Sequence, residues 1–525
     1  MGAEALESYF GGRWSRGQGV ETELVDPTNG ASLATASARG LDYAAALTFA
    51  RERGSPALRA LNYEERAKLL GAIADVLAAN RAGYEEIAIA NSGNTKIDAA
   101  IDIDGGIGTL KYYARLGAPL GAAKALTDDK PVRLAKAENF QAMHTLVPRR
   151  GVAVHINAFN FPSWGLWEKA ACALLSGMPI LAKPASATAM LSHQMVRDVV
   201  AANILPQGAI SLLCGGIGDL LDHVGPEDVI AFTGSSETAN RIRSHRNVLA
   251  RGALVNVEAD SVNAALLAPG ATAATPIFDA FVKEVAREMT SKAGQKCTAI
   301  RRVLVPAALA GNVVEALLAR LAKVAVGDPR NETVRMGPLV TRAQQAAAFN
   351  GIGKLASAAT LLCGGITAPK LDGIDGTKSA FVAPVLLEVA RGETSSLVHD
   401  TEVFGPVATV IPYEDESEAF ALAARGGGSL VASVFADDQD FLAHAVEELG
   451  PSHGRVLAVD PSIADAHTGH GIVMPQCHHG GPGRAGNGAE LGGLYGLRLY
   501  HQRTAVQASS GLLTALQGKS AALNL

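Results

Sequence analysis

The first part of the chain has the hydrophobic periodicity of helices. From Asp42 to about Arg115, apolar residues recur at spacings of three and four, which is the repeat of one buried helix face. Asn62 followed by Glu65 matches a capping box and predicts that a helix begins there. Before this part, residues 8–40 contain shorter apolar runs broken by turn residues, which predicts short strands.

The pattern changes after residue 151, where short apolar runs alternate with helical segments. Between 151 and 262 the apolar runs are VAVHINA, PILAKPA, AISLLCG, VIAFTG and ALVNVEA. Repetition of strand, helix and strand predicts a parallel, doubly wound sheet. A second stretch of this kind, from about 263 to 475, predicts a further α/β unit. Residues 130–151 precede the first sheet and predict a β-ribbon.

Composition narrows the functional classes. The 525 residues carry 46 basic and 51 acidic side chains, a formal net charge of -5. Binders of nucleic acid or anionic membranes carry a basic surplus, so we expect neither partner. The strongly apolar segment 171–182 is about a dozen residues long, whereas a membrane-spanning helix needs about 20. The N-terminus has no signal-peptide pattern and the five cysteines are widely spaced, which predicts a cytoplasmic protein without disulfides.

Cys297 differs from the other cysteines in its neighbours. It lies in the polar, glycine-containing segment AGQKCT, whereas Cys172 and Cys363 lie in apolar runs that are typical of a core. The adjacent Lys296 predicts a lowered pKa for the Cys297 thiol, and the thiolate is the reactive form. The other interpretation is a buried structural cysteine.

Further candidates lie where predicted strands end. Glu258 follows the apolar run ALVNV, and burial there would raise the pKa of its carboxyl group, as suits a general base; a solvated strand end is the alternative. Asn160 follows VAVHINA, where its amide can donate to a developing oxyanion or simply form a turn. Gly234-Ser235-Ser236 follows VIAFT and opens a helical segment, which is the setting of a phosphate-binding turn.

Short motifs occur in a fixed order along the chain, and their order matters because each alone is weak. They are Phe159-Asn-Phe-Pro162, Lys183-Pro-Ala-Ser186, Phe232-Thr-Gly-Ser235, Glu258, Gly294-Gln-x-Cys297 and Glu402-x-Phe404-Gly-Pro406. Together they resemble the aldehyde dehydrogenase superfamily over residues from about 8 to 505.

The resemblance implies roles for the reaction residues. Cys297 would attack the aldehyde and form a thiohemiacetal, which is then oxidised to a thioester. Asn160 and the Cys297 backbone N–H would stabilise the oxyanion, and Glu258 would activate the water that hydrolyses the thioester. Glu168 and Lys169 would provide a proton path to Glu258; a surface or interdomain ion pair is the alternative for these two.

The resemblance also implies cofactor-binding residues. Lys183 would bind the adenosine ribose, Ser235 the pyrophosphate and Glu402 the nicotinamide ribose. The other residues expected at the cofactor are Phe159, Ser186, Gly234, Ser236 and Phe404. Many NAD-preferring relatives place a Glu at the position of Ser186, where its carboxylate would repel a 2′-phosphate. We therefore expect NADP as the preferred cofactor and NAD as the weaker alternative.

Departures from the family pattern point to particular members of the family. The general-base segment is Glu258-Ala-Asp-Ser261, Ala239 replaces the second glycine of the cofactor helix, and a C-terminal signature begins His479-Gly-Gly-Pro-Gly-Arg484. These features resemble CoA-linked semialdehyde dehydrogenases of aerobic benzoate degradation and the aldehyde dehydrogenase part of the fused phenylacetate ring-opening enzymes. Since the chain ends at Leu525 without a hydratase domain, we expect the stand-alone type, with 3,4-dehydroadipyl-CoA semialdehyde as substrate.

No metal site is predicted. Cys477-His478-His479 contains metal-ligand residue types, but adjacent side chains rarely all reach one ion. We expect these residues to form a loop over the substrate tunnel.

The expected fold is α/β and aldehyde dehydrogenase-like. Its parts are a Rossmann-type cofactor domain (1–129 and 152–262), an α/β catalytic domain (263–480) and a small β oligomerisation element (130–151 and 481–525). The resemblance implies a homodimer and NADP-dependent oxidation of an aliphatic semialdehyde to the acid. The alternatives are an aldehyde dehydrogenase with another substrate range, an acylating dehydrogenase or thiol hydrolase, and a catalytically silent structural or binding protein.

Overall fold

Two seven-stranded sheets form the centre of the molecule. The computed structural model describes residues 4–128, 130–390 and 395–523. Within those ranges, no helix combines the length and the apolar character that crossing a membrane requires.

The first sheet contains the strands predicted between 151 and 262. Its order is Leu254–Glu258, Val229–Thr233, Ala153–Ile156, Ile180–Lys183, Ile210–Leu212, Ser8–Phe10 and Arg13–Ser15. The first five strands are parallel, and the two N-terminal strands add to them in antiparallel orientation. The predicted parallel sheet is therefore confirmed.

Helices cover this sheet and bury its faces. They are Tyr43–Phe49, Ser55–Ala60, Tyr63–Ala79, Arg81–Ser92, Lys96–Gly117, Trp164–Ser176, Ala189–Ala201, Ser236–Arg243 and Arg246–Arg251. The capping box is confirmed, because the Asn62 side chain accepts from the Glu65 N–H at 2.9 Å and Glu65 accepts from the Asn62 N–H at 2.8 Å. A Cβ on Gly105 would lie 2.2 Å from the Trp164 ring, so only glycine lets these two helices pack so closely.

The second sheet is the core of the other α/β unit. Its order is Thr360–Cys363, Val385–Glu388, Val407–Tyr413, Ile300–Pro306, Asn263–Leu267, Ser429–Phe435 and His453–Val459. All neighbours are parallel except the first pair. Its helices are Pro276–Thr290, Ala310–Leu321, Arg342–Leu355, Leu397–Asp400, Glu416–Ala424 and Gln439–Leu449. The central strands are buried on both faces, which explains their continuous apolar runs.

A third sheet contains the predicted ribbon. Phe140–Pro148 pairs in antiparallel orientation with His501–Ser509, which continues into the helix Ser510–Gln517. The short strands Leu126–Thr127, Val132–Arg133 and Ala521–Ala522 complete this sheet, and a separate N-terminal sheet contains Glu4–Leu6, Thr22–Val25 and Ser32–Ala36.

A small hairpin lies, in chain order, between the strands Phe140–Pro148 and His501–Ser509 of the third sheet. Its strands, His478–His479 and Glu490–Leu491, pair with each other and not with the ribbon. The predicted boundary at 480/481 therefore falls inside a hairpin, and the ribbon sheet takes only the later part of the predicted tail. The division into three domains stays a prediction, and its positions 1–3, 129, 391–394 and 524–525 lie outside the described residues.

Candidate active site

One pocket lies where strands of the first sheet end and the second unit begins. Its cavity volume is about 50 Å³, and it is partly open to solvent. Asn160 follows Ala153–Ile156, and Glu258 is the last residue of its strand. Parallel strands bring their carboxyl ends to one edge of a sheet, which explains why these residues meet. The candidate reaction residues that line the pocket are Asn160, Glu168, Lys169, Glu258 and Cys297.

The turn that carries Cys297 is held from both α/β units. Asn160 Nδ2 donates to the Gln295 carbonyl at 3.0 Å, and Asn263 Nδ2 donates to the Cys297 carbonyl at 2.8 Å. Gly294 has φ +68°, and a Cβ there would lie 2.1 Å from the Gly405 carbonyl oxygen, so the turn requires glycine. An amide side chain has two N–H donors, so Asn160 can hold the turn with one and keep the other for a substrate oxygen.

The expected effect of Lys296 on the nucleophile is wrong. Lys296 Nζ lies 2.7 Å from Glu288 Oε2, and both side chains are buried at 4% and 2% exposure. The ammonium group of Lys296 therefore pairs with the Glu288 carboxylate and not with the Cys297 sulfur. Burial, followed by the negative charge of Glu258, raises the pKa of the Cys297 thiol well above its ordinary value. The thiol consequently needs a base to become a nucleophile.

The expected rise in the pKa of Glu258 is also wrong, although its burial is confirmed. Glu258 Oε2 lies 3.1 Å from His479 Nε2 and accepts a hydrogen bond from Thr233 Oγ1 at 3.3 Å. Burial raises the carboxyl pKa, but the charge of His479 and its hydrogen bond outweigh burial and lower it to about 2. Glu258 Oε1 is buried and has no hydrogen-bond partner among the described residues.

His479 was not predicted as part of this site. It is buried beside Glu258, and the opposing effects of burial and of the Glu258 charge leave its pKa raised. Cys477 and His478, its neighbours in sequence, are exposed and do not line the pocket. The expected loop over the tunnel is therefore only partly right, because Cys477 precedes the strand His478–His479 and His479 alone of the three lines the pocket.

A second charged cluster lies behind the pocket. Lys169 Nζ lies 3.0 Å from Glu490 Oε2 and 3.3 Å from Glu168 Oε1, and the lysine side chain is 1% exposed. A surface ion pair is therefore wrong, whereas the pair of Lys169 with Glu490 joins two of the predicted domains, as the interdomain alternative expected. Burial raises the pKa of Glu168 to about 7. Glu490 was not predicted; its Oε1 accepts from Asn256 Nδ2 at 3.0 Å, which ties the hairpin to the first sheet.

The residues expected at the adenosine end of the cofactor lie at the same edge of the first sheet. Lys183 ends the strand Ile180–Lys183, and burial lowers the pKa of its ammonium group. Ser186 follows directly, and its Oγ donates to the Gly215 carbonyl at 3.3 Å. Glu21, which was not predicted, accepts from the Gly216 N–H at 3.0 Å and lies 3.6 Å from Arg39.

The predicted phosphate turn begins a helix, as expected. Ser235 caps Ser236–Arg243, because its Oγ accepts from the Thr238 N–H at 3.3 Å. The Ser236 N–H is already used, since it donates to Asp260 Oδ1 at 3.1 Å. Asp260 belongs to the divergent segment after Glu258, so this departure from the family pattern has a local structural role.

The residues expected at the nicotinamide end also come together. The rings of Phe159 and Phe404 meet edge to face, with centroids 5.6 Å apart. Glu402 Oε2 accepts from the Ser261 N–H at 3.3 Å, whereas Oε1 is buried and finds no partner in the described part of the chain. Burial raises the pKa of Glu402 to about 7. An unsatisfied carboxylate oxygen of this kind suits a ribose hydroxyl donor.

Comparison with known proteins identifies the family. The model of the aldehyde dehydrogenase family matches residues 14–506. The chain belongs to the aldehyde dehydrogenase family. It is an oxidoreductase that acts on aldehydes, so a catalytically silent role is set aside.

Individual members of the family resemble the chain to different degrees. A 3,4-dehydroadipyl-CoA semialdehyde dehydrogenase of Aromatoleum evansii is 54% identical over 477 residues, which cover 91% of this chain and 93% of that protein. Lactaldehyde dehydrogenase of Escherichia coli has the same fold, with a TM-score of 0.83 at 21% identity over 96% of this chain and 99% of that chain. Betaine aldehyde dehydrogenase of Staphylococcus aureus, solved with NAD+, gives 0.82 at 23% identity over 96% and 97%.

Comparison with the family pattern explains why His479, the partner of Glu258, was not expected. The common C-terminal signature of the family begins with Phe-Gly-Gly, and here the aromatic position is His479. That departure is the one sequence signal that could have found it. No comparable signal marks Glu490 or Glu21.

Proposed function

We propose that this aldehyde dehydrogenase oxidises a CoA-linked aliphatic semialdehyde to the carboxylic acid, with NADP as the preferred oxidant. The 54% identity to 3,4-dehydroadipyl-CoA semialdehyde dehydrogenase over 91% of the chain supports that semialdehyde as substrate. The observation that carries the chemistry is the meeting of Cys297, Glu258 and Asn160 in one pocket.

In the first half-reaction, Glu258 takes the proton of Cys297. The sulfur then attacks the aldehyde carbon, and the resulting oxyanion accepts hydrogen bonds from the Asn160 amide and the Cys297 N–H. When bound, the nicotinamide cofactor accepts the hydride that oxidises this adduct. A thioester then remains on the sulfur.

In the second half-reaction, Glu258 acts on water. It must first lose the proton that it took from Cys297, and we propose that Glu168 and Lys169, with Glu490 behind them, carry that proton away. The Glu258 carboxylate then activates water, which releases the free acid from the thioester. His479 holds Glu258 in its ionised form and in one orientation, because it lies 3.1 Å from one carboxylate oxygen.

The cofactor would bind along the carboxyl edge of the first sheet. Lys183 would hold the adenosine ribose and its 2′-phosphate, the turn Gly234-Ser235-Ser236 the pyrophosphate, and Glu402 the nicotinamide ribose through its free Oε1. Phe159 and Phe404 would contact the nicotinamide ring. Ser186 brings no charge to the 2′-phosphate. The nearby Glu21 carboxylate is compensated by backbone N–H groups and Arg39.

A single substitution tests cofactor choice. Ser186→Glu should weaken NADP use by at least about tenfold in kcat/KM, or about 1.4 kcal/mol, because the new carboxylate repels the 2′-phosphate. NAD use should change much less. Equal kcat/KM with both cofactors in the parent, or a variant that still favours NADP, would place cofactor selection at other residues.

The substrate is tested by a matched pair of aldehydes. We expect kcat/KM to favour a CoA-linked semialdehyde over a free aliphatic semialdehyde of the same chain length. Product analysis with and without free CoA should give the free acid in both cases, because Glu258 serves hydrolysis. Equal use of both aldehydes would favour a general aliphatic aldehyde dehydrogenase, and an acyl-CoA product would favour an acylating enzyme.

We also propose a cytoplasmic homodimer in which the third sheet forms the contact. Val132 and Phe140 are 61% and 41% exposed on its strands, and large apolar side chains exposed on a sheet suit a covering partner. The molar mass in solution should be about twice that of one chain, which is 54.1 kDa. A monomer at micromolar concentration would contradict this assembly.

A further inference from the structure

The reaction pocket brings together side chains of three ligand types. The Cys297 sulfur, a Glu258 carboxylate oxygen and a His479 ring nitrogen all lie within 4.8 Å of one another. No other group of three such ligands occurs in residues 4–128, 130–390 or 395–523. The His479 nitrogen and one Glu258 oxygen are already 3.1 Å apart.

This spacing suits a borderline-soft divalent cation. Thiolate, imidazole and carboxylate bind Zn²⁺ at about 2.0–2.3 Å, so tetrahedral ligand atoms lie about 3.3–3.6 Å from one another. The nitrogen and oxygen have nearly that separation, and the sulfur needs to move by about 1 Å at most. The three ligands come from segments distant in sequence, which is why adjacent residues such as Cys477 and His478 gave no indication of the site.

A second observation also points to a ligand at this position. Glu258 is 3% exposed, and its Oε1 has no hydrogen-bond partner within residues 4–128, 130–390 and 395–523. A cation that bound this carboxylate could use either oxygen. Because the pocket is partly open to solvent, a water molecule can complete four-coordination. With a thiolate, a carboxylate and a neutral imidazole as ligands the zinc site is electrically neutral, and the protons of the Cys297 thiol and of the metal-binding His479 nitrogen pass to solvent.

We propose that Cys297, Glu258 and His479 form an inhibitory zinc site. Bound Zn²⁺ holds the nucleophile and the general base together, so that neither can act, and a chelator restores both. The inference goes beyond the proposed reaction and does not depend on which aldehyde is the substrate. Hard cations such as Mg²⁺ prefer all-oxygen sites and should not inhibit.

Zinc titration of the metal-free enzyme tests the proposal. Activity with any accepted aldehyde should fall as ZnCl₂ is added and return with EDTA, whereas MgCl₂ at the same concentration should have no effect. In His479→Gln, the Zn²⁺ concentration for half-inhibition, measured against that variant's own metal-free rate, should rise at least about tenfold. The matched control is His478→Gln, because His478 is the adjacent imidazole outside the pocket, and its half-inhibition should stay unchanged.

Cobalt absorption provides a readout that needs no turnover. CoCl₂ added to the parent enzyme should give a thiolate-to-cobalt charge-transfer band at one equivalent per chain. The band should be lost in Cys297→Ala and kept in Cys477→Ser. An unchanged zinc response in His479→Gln, or a cobalt band that survives in Cys297→Ala, would overturn the proposed site. Loss of the band in Cys477→Ser would place the metal on the exposed loop and would also overturn it.

Discussion

Two buried charged clusters adjoin the same pocket, yet they give their glutamates opposite properties. In the front cluster, Glu258 faces His479 across 3.1 Å, and its carboxyl pKa is lowered to about 2 despite burial. In the rear cluster, Glu168 lies 3.3 Å from Lys169, and burial raises its pKa to about 7. Burial acts in the same direction on both residues and so does not explain the difference.

The difference comes from how each counter-charge is shared. His479 has one close carboxylate, whereas Lys169 has two and lies nearer to Glu490, at 3.0 Å, than to Glu168. One ammonium cannot neutralise two carboxylates, so Glu168 keeps part of its desolvation cost. The front cluster thus provides an ionised base beside a thiol, and the rear cluster provides a carboxyl group that can exchange a proton near neutral pH. We therefore expect substitutions in the front cluster mainly to lower the reaction rate, and substitutions in the rear cluster mainly to lower the free energy of unfolding.

The largest effect is expected at the nucleophile. Cys297→Ala should lower kcat by several orders of magnitude while folding and NADP binding stay intact, because the covalent route disappears. The matched control is Cys172→Ala. Cys172 is also buried but lies against the rear cluster, so it should show only a packing effect. Near-normal turnover in Cys297→Ala would refute covalent catalysis.

The two glutamates should separate in a rapid-mixing experiment. Glu258→Gln should lose the burst of reduced cofactor together with turnover, because an amide can take a proton neither from Cys297 nor from water; the steady-state rate should fall by about 10²–10⁴-fold. Glu168→Gln should keep the burst but lower the steady-state rate, by less than Glu258→Gln does, because the proton that Glu258 took from Cys297 then leaves more slowly. A burst that survives in Glu258→Gln would mean that Cys297 loses its proton to another base and that Glu258 serves hydrolysis alone. Equal losses of the steady-state rate in both variants would show that the two clusters do not differ in their roles.

Stability should respond to the rear cluster. Lys169→Met leaves two buried carboxylates without their cation, which should lower the free energy of unfolding by about 3–5 kcal/mol, measured by urea denaturation. Adding Glu490→Gln to that variant should recover part of the loss. The exposed ion pair between Lys68 and Glu64 provides the control, since Lys68→Met should leave the urea midpoint unchanged. A midpoint equally unchanged in Lys169→Met would show that the rear cluster contributes no net stability.

The smallest effect concerns a second buried histidine. His155 bonds to the Tyr500 hydroxyl at 3.1 Å, and burial and then the charge of Lys169 lower its pKa to about 3. As pH falls below about 6.5, the unfolded chain protonates this histidine and the native chain does not. As the pH falls, the free energy of unfolding therefore decreases by about 1.4 kcal/mol per pH unit because of this histidine. The decrease ends when the pH approaches the pKa of His155 in the folded chain. His155→Gln should unfold with a shallower acid slope between pH 6 and pH 4, and parallel slopes would contradict the assignment.

Much of the fold and part of the site followed from sequence order. Alternating strand and helix patterns predicted the parallel sheet, and the sequence placed candidate residues at the ends of predicted strands. Asn160 and Glu258 line one pocket because parallel strands necessarily end on the same side. Gly294 was part of the predicted motif, and the structure provides the reason, since the turn packs against the Gly405 carbonyl. These are properties of local pattern and chain direction, which the sequence determines by itself.

The partners of the charged groups were decided only by tertiary structure. Lys296 follows Gln295 and precedes Cys297 in the chain, yet its ammonium binds Glu288, because neighbouring side chains in a turn point in different directions. The pKa of Glu258 could not be predicted with the right sign, because its direction depends on His479, which a distant hairpin places 3.1 Å away. Charge interactions act over a few ångströms in space and not along the sequence, so strand order determined where each carboxylate lies, and tertiary packing determined whether it is an ionised base or a buried acid.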